Sequence, residues 1–286
     1  MKQLTVISGK GGTGKTSIAA ALSVLARSAA IADCDVDAAD LHLLLEPDTV
    51  ESGDFSGGMF ARIDASMCTR CGLCERLCRF DAIHDFTVDP ISCEGCGFCA
   101  RACPDEAIIM EPNHSGKWFM SNTRAGKMAH ARLGIAEENS GKLVTLVRKN
   151  AQNAAENENL ELIITDGPPG IGCPVIASIT GADLLLAVTE PTISGIHDLK
   201  RVVEVAGHFN VPVLVCINKC DINPYNTAHI EENCTGIGIE VVGKIPHDPE
   251  VTRAMILRKS IVEHDCGHVT VEVNKMWERI QEHRDA

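Results

Sequence analysis

The chain has 286 residues, of which 45% are apolar and 3% aromatic, and its formal net charge is −13. This length allows one large domain with a small additional module. The acidic balance argues against nucleic acid as a partner and against recruitment to anionic lipid, because both are negatively charged. The first residues lack a secretory signal pattern, and no apolar stretch spans a bilayer comfortably, so we expect a cytoplasmic protein.

The first predicted elements are a strand, a glycine-rich turn and a helix. Residues 4–8 form an apolar run, and an alanine-rich helical pattern covers about residues 15–27. The turn between them matches the phosphate-binding P-loop pattern, with the residues Gly9, Lys10, Gly11, Gly12, Thr13, Gly14, Lys15 and Thr16. Backbone N–H groups of such a turn, at the start of a helix, bind phosphate oxygens. The pattern predicts an ATP or ADP site in which Lys15 reaches the β- and γ-phosphates and Thr16 binds Mg²⁺.

The next segment combines an acidic cluster with a predicted domain boundary. A second buried strand is expected at residues 29–32, and Asp33, Asp35 and Asp37 follow it directly. For Asp33, a place in a solvated loop is as good an interpretation as a functional role. Residues 51–58 are rich in Gly and Ser, which predicts a surface loop that separates two parts of the chain.

The chain contains fourteen cysteines, and the reducing cytoplasm makes metal binding a better explanation for them than disulfides. Eight form two copies of a pattern that repeats after 25 residues, namely Cys68, Cys71, Cys74 and Cys78, then Cys93, Cys96, Cys99 and Cys103. Zinc sites use paired Cys-x-x-Cys elements and leave the later cysteines of this pattern unexplained. The spacing favours iron–sulfur clusters, because three thiolates on one tight turn can hold one cubane.

Over about fifty residues, this block resembles the bacterial ferredoxins that carry two [4Fe-4S] clusters. The resemblance implies that one cluster binds Cys68, Cys71, Cys74 and Cys103. It implies that the other binds Cys93, Cys96, Cys99 and Cys78, since the fourth thiolate of each copy serves the other cluster. Arg79 stands where the first copy would have proline, and this departure removes no ligand.

Beyond the cysteine block, strands and helices alternate. Predicted helices cover residues 143–156, 193–208 and 271–283, and predicted strands cover residues 160–165, 184–188, 213–217 and 240–243. Short, uniformly apolar strands that alternate with helices indicate a parallel sheet covered on both faces. The predicted fold class is α/β, with a doubly wound, mostly parallel sheet formed by residues 1–60 and 113–286. A small α+β ferredoxin-like module is expected as an insertion at residues 61–112.

The P-loop contains an early lysine, Lys10, and in this form it resembles the deviant Walker A motif of MinD, ParA, Mrp and the nitrogenase iron protein. The resemblance covers nearly all of the chain outside the cysteine block. It implies that Lys10 crosses a dimer interface to the nucleotide of the other subunit. Lys15, Asp35 and Asp166 would complete the catalytic set, with Asp35 orienting the attacking water and Asp166 as the Walker B residue at Mg²⁺.

The same resemblance places residues around the adenine base. Asn218 resembles the asparagine that contacts adenine, and Pro246 and Asp248 belong to a segment that resembles the loop beside the base. Together these features imply a slow, partner-stimulated ATPase. It would form an ATP-dependent dimer with itself or with a paralogue.

Two functions are compatible with these features. In the main hypothesis, the nucleotide state gates electron transfer through the clusters or the assembly of an iron–sulfur or other metal cofactor, with a redox or metal-cofactor protein as partner. The residues do not separate these two tasks. The alternative is a MinD/ParA-like positioning or partner-binding switch in which the clusters are structural or docking elements. Membrane recruitment is not expected, because the C-terminal helix carries Glu272, Glu278 and Glu282 rather than a basic face.

Overall fold

The computed structural model describes residues 1–134 and 140–285. The strands are β1 (Lys2–Ser8), β2 (Ala29–Asp33), β3 (Asp48–Ile63), β4 (Ile83–His84), β5 (Thr87–Val88), β6 (Ile108–Thr123), β7 (Gly126–Leu133), β8 (Leu162–Pro169), β9 (Leu184–Thr189), β10 (Val213–Asn218) and β11 (Glu240–Ile245). The helices are α1 (Lys15–Ala26), α2 (Leu41–Leu45), α3 (Leu73–Leu77), α4 (Phe98–Ala102), α5 (Ser140–Glu158), α6 (Cys173–Ile179), α7 (Ile193–His208), α8 (Pro224–Gly236), α9 (Pro249–Ile256), α10 (Ile261–His264) and α11 (His268–Asp285). Within the described ranges, no helix is long and apolar enough to cross a membrane.

Nine strands form one sheet, in the order β11-β10-β9-β1-β8-β2-β7-β6-β3. The strand β1 pairs in parallel with β8 and β9, β10 pairs in parallel with β9 and β11, and β2 pairs in parallel with β7 and β8. Parallel neighbours need a long connection between them, and most of these connections contain a helix. The predicted doubly wound, mostly parallel α/β sheet is therefore confirmed.

Side chains of the central strands alternate between two apolar layers. On β9, Leu184 and Leu186 pack in one layer with α1 and α11, whereas Leu185 packs in the other layer with α6, α7 and α8. Every residue of β9 is buried, which explains why its first five residues are all apolar and do not alternate with polar residues. Burial of each such leucine stabilises the fold by about 1.5–3 kcal/mol. The two layers fix the strand ends at which the candidate site lies.

The interpretation of residues 51–58 as a surface loop is wrong. These residues lie within β3, where Phe55 and Gly57 are buried while Ser56 between them is exposed. Burial of every second residue is the period of a strand. This strand is not predicted from the sequence, because it contains Gly and Ser residues, which usually form turns. The strands β6 and β7 are not predicted either, because polar residues interrupt their apolar positions.

The described chain divides into two compact units. One unit comprises Met1–Ser52, Trp118–Arg132 and the described residues from Ser140 onward, and the other comprises Gly53–Lys117 with Leu133 and Gly134. The second unit contains α3, α4 and the antiparallel pair of β4 and β5. The boundaries expected at residues 60/61 and 112/113 fall inside β3 and β6, since both strands contribute residues to both units.

A charged contact joins the turn between β6 and β7 to α2 and to the segment after α9. Arg124 donates from Nε to Oε1 of Glu263 at 2.5 Å, and from Nη2 to the carbonyl oxygens of Leu44 at 2.5 Å and Arg258 at 2.9 Å. Burial acts to raise the pKa of Glu263, but hydrogen bonds with Arg124 and Ser260 outweigh it and lower the pKa to about 2. The Glu263 carboxylate is therefore charged at neutral pH.

We expect Glu263→Gln to lower the free energy of unfolding by about 1–2 kcal/mol at pH 7, because it removes a charge-assisted contact. The pKa of Glu263 in the folded chain lies below its ordinary value of 4.5. The carboxylate therefore stabilises the fold above about pH 4.5, and this contribution is lost as the pH falls from there toward about 2. In urea-unfolding curves, the difference in the free energy of unfolding between Glu263→Gln and the wild type should become smaller as the pH falls through this range.

Glu272→Gln is the matched control for this prediction. It removes the contact of the carboxylate with Lys275, whose side chain is 60% exposed, and should change the free energy of unfolding by about 0.5 kcal/mol or less. A loss of stability in Glu263→Gln that stays the same from pH 7 to pH 3 would contradict the role assigned to the carboxylate.

Candidate functional site

The P-loop between β1 and α1 has a backbone conformation that its glycines allow. Gly12 and Gly14 have φ angles of 79° and 85°, in the left-handed region that favours glycine. A Cβ atom at Gly14 would lie 2.3 Å from Nδ2 of Asn218. That nitrogen, at the end of β10, donates to the carbonyl oxygen of Thr13 at 2.7 Å. The loop is therefore held by the end of a second strand.

A pocket of about 400 Å³ lies at the P-loop. The predicted site residues that line it are Gly11, Gly12, Thr13, Gly14, Lys15, Thr16, Asp35, Asn218, Pro246 and Asp248. Gly9, Lys10 and Asp166 do not line this pocket, and three residues of α9 that were not predicted, Val251, Thr252 and Met255, do. The fold thus gathers residues from four distant segments of the chain around one cavity, which we call the nucleotide pocket.

Lys15 is the centre of the charged contacts at this pocket. Its Nζ lies 2.7 Å from Oδ1 of Asp166 and 3.4 Å from Oδ2 of Asp35. Lys15 is 5% exposed and Asp166 is 1% exposed. Burial acts to lower the pKa of Lys15, but the charges of Asp166 and Asp35 outweigh it and raise the pKa above its ordinary value. The ammonium group is therefore charged and joins the P-loop to both carboxylates.

Asp33 adds a third carboxyl group to this cluster. It ends β2 in register with Asp166 of β8 and is fully buried, so its interpretation as part of a solvated loop is wrong. Burial and then the charge of Asp166 raise the pKa of Asp33 well above its ordinary value. Oδ2 of Asp33 and Oδ2 of Asp166 have no hydrogen-bond partner among the described residues.

Three carboxyl groups next to one ammonium group leave an excess of negative charge that a divalent cation would balance. Within residues 1–134 and 140–285, however, no three Asp, Glu, His or Cys side chains converge as a set of metal ligands. A cation at this position would therefore need further ligands, such as a hydroxyl group, water or phosphate oxygens.

Glu190 binds two lysines of the site. Its Oε2 lies 3.2 Å from Nζ of Lys10, and its Oε1 lies 2.5 Å from Nζ of Lys219. Nζ of Lys10 also lies 3.3 Å from the hydroxyl oxygens of Thr192 and Ser194. Burial acts to raise the pKa of Glu190, but hydrogen bonds from Lys219 and Lys10 outweigh it and lower the pKa below its ordinary value.

Glu190 is not predicted from the sequence, although one signal for it is present. Glu190 directly follows β9, and β9 is the neighbour of β1 in the sheet. The carboxyl ends of parallel strands meet at one edge, which is where α/β proteins bind their ligands. A charged residue just after a buried strand is therefore a candidate for the same site as the P-loop.

The two cysteine copies have the same local structure. The helix α3 follows Gly72 at φ 71°, and α4 follows Gly97 at φ 70°. Each helix has five residues and is followed by the last cysteine of its copy, Cys78 or Cys103, in an extended conformation. The repeat in sequence is therefore also a repeat in backbone conformation.

Two pockets in the unit Gly53–Lys117 are each lined by four cysteines drawn from both copies. One, of about 370 Å³, is lined by Cys78, Cys93, Cys96 and Cys99. The other, of about 20 Å³, is lined by Cys68, Cys71, Cys74 and Cys103. These are the two ligand sets implied by the ferredoxin resemblance, but in the described ranges no three of these side chains are close enough to hold a metal ion. The sulfur atoms would have to rearrange around a cluster.

A P-loop after the first strand of a doubly wound parallel sheet defines a P-loop nucleotide-binding protein. The sequence model of the CobQ/CobB/MinD/ParA nucleotide binding domain matches residues 4–261, and the chain belongs to this family. An uncharacterized protein of Methanocaldococcus jannaschii is 33% identical to it over 286 residues, which cover 98% of this chain and 96% of the relative. The MinD and ParA members of the family are ATPases.

Solved structures of MinD resemble this chain over nearly its whole length. The septum site-determining protein MinD complexed with Mg-ADP from Pyrococcus horikoshii has a TM-score of 0.61 at 18% identity, covering 98% of this chain and 96% of that one. The MinC:MinD cell division protein complex of Aquifex aeolicus gives a TM-score of 0.59 at 17% identity, covering 99% and 96%. At these identities the likeness shows a shared fold.

We expect Gly14→Ala to destabilise the chain by about 1–3 kcal/mol and to weaken MgADP binding by about tenfold or more. The added Cβ would meet Asn218, and a φ of 85° is strained for alanine. Urea unfolding and isothermal titration calorimetry measure the two effects. Gly207→Ala is the control, because an added Cβ has no neighbour within 4 Å there and alanine suits the helix α7. Equal stability and equal affinity of Gly14→Ala and wild type would contradict this account of the loop.

Proposed function

We propose that this chain is a switch ATPase of the MinD/ParA type, in which binding and hydrolysis of ATP control association with a second subunit and with a partner protein. The observation that carries the proposal is the position of Lys15. Its ammonium group contacts Asp35 and Asp166 in one buried cluster of the P-loop. A group that joins the phosphate-binding loop to both carboxylates can transmit the presence of a phosphate to the segments that carry them.

The residues of the nucleotide pocket suit MgATP. Backbone N–H groups of the P-loop would bind phosphate oxygens, and Lys15 would contact the β- and γ-phosphates. Thr16 and Asp166 would hold Mg²⁺, whose charge would offset the excess of carboxylates. Asn218 would contact adenine, with Pro246 and Asp248 beside the base.

Asp35 would orient the water that attacks the γ-phosphorus. The bond between the γ-phosphorus and the bridging oxygen then breaks, and the products are ADP and inorganic phosphate. Asp35 lines the nucleotide pocket and is in contact with Lys15, so it stands close to the place that the γ-phosphate would take.

ATP would act as a switch by changing the partners of Lys15. Phosphate oxygens compete with Asp35 and Asp166 for the ammonium group, so the segments after β2 and β8 would take new positions when ATP binds. A nearly complete shift between two states requires ATP to favour one of them by about 5.5 kcal/mol. ADP lacks the γ-phosphate, would compete for Lys15 through its β-phosphate alone, and would therefore shift the two segments less than ATP.

Lys10 would connect the nucleotide state to dimer formation. Its side chain is 31% exposed and is held by Glu190 of its own chain. Glu190 also binds Lys219, so Lys10 can leave without exposing an unpaired carboxylate. On ATP binding, Lys10 would move to the nucleotide of a second copy or of a paralogue. The solved complex of MinD with MinC supports partner binding as the output of such a switch.

A non-hydrolysable MgATP analogue should convert the chain from monomer to dimer, and MgADP should not, as measured by size-exclusion chromatography with light scattering. Lys10→Ala should weaken this dimer by about tenfold or more, because it removes a charged contact across the interface. Its affinity for MgADP should stay within about threefold of wild type, since Lys10 does not line the nucleotide pocket. Lys200→Ala, an exposed lysine of α7 paired with Glu204, is the control. A molar mass independent of nucleotide in the wild type would contradict the proposal.

A second function is favoured by the two pockets that are lined by four cysteines each. We infer that the unit Gly53–Lys117 binds two [4Fe-4S] clusters, because sets of four thiolates are the ligands that such clusters take. One cluster would bind Cys68, Cys71, Cys74 and Cys103, and the other Cys93, Cys96, Cys99 and Cys78. The smaller pocket would have to open to admit its cluster.

Bound clusters would supply one-electron redox chemistry. The nucleotide state would then gate electron transfer to a redox partner or the assembly of a metal cofactor. If the chain acts only as a partner-binding switch, the same clusters would be structural or docking elements. The two functions share the nucleotide pocket and differ in whether nucleotide and clusters influence each other.

Anaerobic reconstitution should load about eight iron atoms per chain, and Cys96→Ser should lose about half of them. Cys96 is exposed, so the substitution should leave the fold of the unloaded chain intact. Cys173→Ser, at an exposed cysteine that lines neither pocket, is the control and should keep full loading. Equal iron content in Cys96→Ser and wild type would contradict this ligand set.

A redox titration followed by EPR then separates the two functions. A difference in cluster potential between MgADP and a non-hydrolysable MgATP analogue would support nucleotide gating. Identical potentials in both states would support the partner-binding switch.

A further inference from the structure

A second large pocket lies in the same compact unit as the P-loop and shares no lining residue with the nucleotide pocket. Its volume is about 470 Å³. Among its lining residues are the aromatic or imidazole rings of His42, Phe119 and His130, and the charged side chains of Glu46, Arg132 and Arg258. We call it the histidine pocket. All of its lining residues lie within Met1–Ser52, Trp118–Arg132 and the described part that begins at Ser140.

The rings of the histidine pocket lie nearly parallel. The rings of Phe119 and His130 stack with centroids 5.0 Å apart at 22°, and those of His42 and His130 lie 6.4 Å apart at 6°. Nε2 of His130 is 2.9 Å from Oγ of Ser121, a side chain that is fully buried. The ring of His130 is therefore held in one orientation. Parallel ring faces are suited to stacking with a flat, aromatic ligand.

His130 is uncharged at neutral pH. Burial, and then the neighbouring His42 and Arg132, lower its pKa to about 4. Among the described residues, Phe119 and the Ser121 hydroxyl also contact its ring, and neither carries a charge. At pH 7, His130 therefore offers an uncharged ring face, and Arg132 and Arg258 bring positive charge to the pocket.

Two arginines line the histidine pocket in a chain whose net charge is −13. Arg132 takes part in no ion pair within the described ranges. Nη1 of Arg258 lies 3.2 Å from Oε1 of Glu46, but the side chains are 67% and 54% exposed. An ion pair this exposed contributes little to stability. Arg258 can therefore turn toward a ligand at a small cost in free energy. Two guanidinium groups are well suited to a phosphate or a carboxylate.

The walls of the histidine pocket continue into those of the nucleotide pocket. Ala38 and Asp40 line the nucleotide pocket, while Ala39 and His42 line the histidine pocket. Arg258 comes two residues after α9, which contributes Met255 to the nucleotide pocket. Arg124 joins the two segments, because its Nη2 donates to the carbonyl oxygens of Leu44 and Arg258. A ligand that contacts His42 and Arg258 would change the preferred conformation of the same two segments that line the nucleotide pocket.

We propose that the histidine pocket binds a small planar anion, an aromatic ring that carries a phosphate or carboxylate group, and that its occupancy alters nucleotide affinity. The ring stacks on His42 and His130, and Arg132 and Arg258 hold the anionic group. A metal ion does not fit this pocket, because no three His, Asp, Glu or Cys side chains in the described ranges form a ligand set. The coupling is reciprocal, so MgADP must change the affinity for the anion by the same factor.

The test uses phenyl phosphate as the probe and the full chain saturated with MgADP, so that the P-loop is occupied. Isothermal titration calorimetry should show saturable binding of one phenyl phosphate per chain. Inorganic phosphate, which lacks the ring, and phenol, which lacks the charge, should each bind about tenfold more weakly or worse. Inorganic phosphate binding as tightly as phenyl phosphate would overturn the proposal, as would the absence of any phenyl phosphate binding.

Variants distinguish binding of phenyl phosphate in the histidine pocket from a general effect of positive charge on its affinity. Arg132→Ala should weaken phenyl phosphate binding about tenfold or more. Arg201→Ala removes one exposed arginine of α7 and should leave binding within about twofold. His42→Ala, a second variant on the short helix α2, should weaken the binding of phenyl phosphate and leave the affinity for inorganic phosphate unchanged. Equal affinities of Arg132→Ala and wild type would overturn the assignment.

Coupling to the nucleotide is measured as the affinity for MgADP with and without saturating phenyl phosphate. We expect a change of about fivefold or more in the wild type and in Arg201→Ala, and none in Arg132→Ala. No change in the wild type would overturn the coupling. Because MgADP affinity is measured without ATP hydrolysis or a second subunit, this outcome does not depend on the proposed switch.

Discussion

The buried ion pairs of Lys15 with Asp166 and Asp35 are the constraint on which the site depends. Removing one partner of a buried pair leaves an uncompensated charge and costs about 3–5 kcal/mol, so these three residues stay together in the folded chain unless a ligand replaces one of the partners. The fully buried Asp33 places a third carboxyl group beside them, and burial and the charge of Asp166 raise its pKa well above the ordinary value. In this cluster the lysine and the carboxylates compensate one another's charge. A ligand that brings both phosphate and a divalent cation can replace these partners without leaving a charge unpaired.

The order of the strands makes this cluster possible. The strand β8 lies between β1 and β2, and Asp166 is in register with Val6 of β1 on one side and Asp33 of β2 on the other. The P-loop begins directly after β1, so Lys15 reaches the ends of both neighbouring strands. The apolar layers on the two faces of the sheet leave little freedom for the strands to slide. Hydrophobic packing thus fixes the positions of charged groups that would otherwise repel one another.

The unit Gly53–Lys117 differs from the rest of the chain in the interactions that would stabilise it. One apolar cluster of this unit has Ala61, Cys74, Ile83 and Ile108 as its buried residues, with further cysteines packed around them. Units of this size with so small a core commonly depend on bound metal for stability. Cluster binding would therefore stabilise this unit in addition to any redox role. Such a dependence on bound clusters would also account for the limited apolar periodicity of its sequence.

Local patterns could be predicted from the sequence because their chemistry resides in neighbouring residues. The P-loop is contiguous, and its glycines are required by backbone angles that no other residue adopts easily. The buried strands of the central sheet, such as β9, are short apolar runs, and the helix at Ile193–His208 has the predicted bounds. The two cysteine copies repeat within one stretch of chain, so their grouping was also open to prediction.

Features that join distant segments were decided by the tertiary structure. Burial of Asp33 depends on β7 and β8 flanking β2, and a run of aspartates cannot reveal it. Glu190 meets Lys10 only because β9 pairs with β1. The strand β3 forms despite its Gly and Ser residues, since pairing and burial outweigh their local preference for turns. The amino-acid sequence by itself thus determined the phosphate loop, the buried strands and the repeated cysteines, whereas long-range packing decided which charges became neighbours, because no local signal encodes strand order.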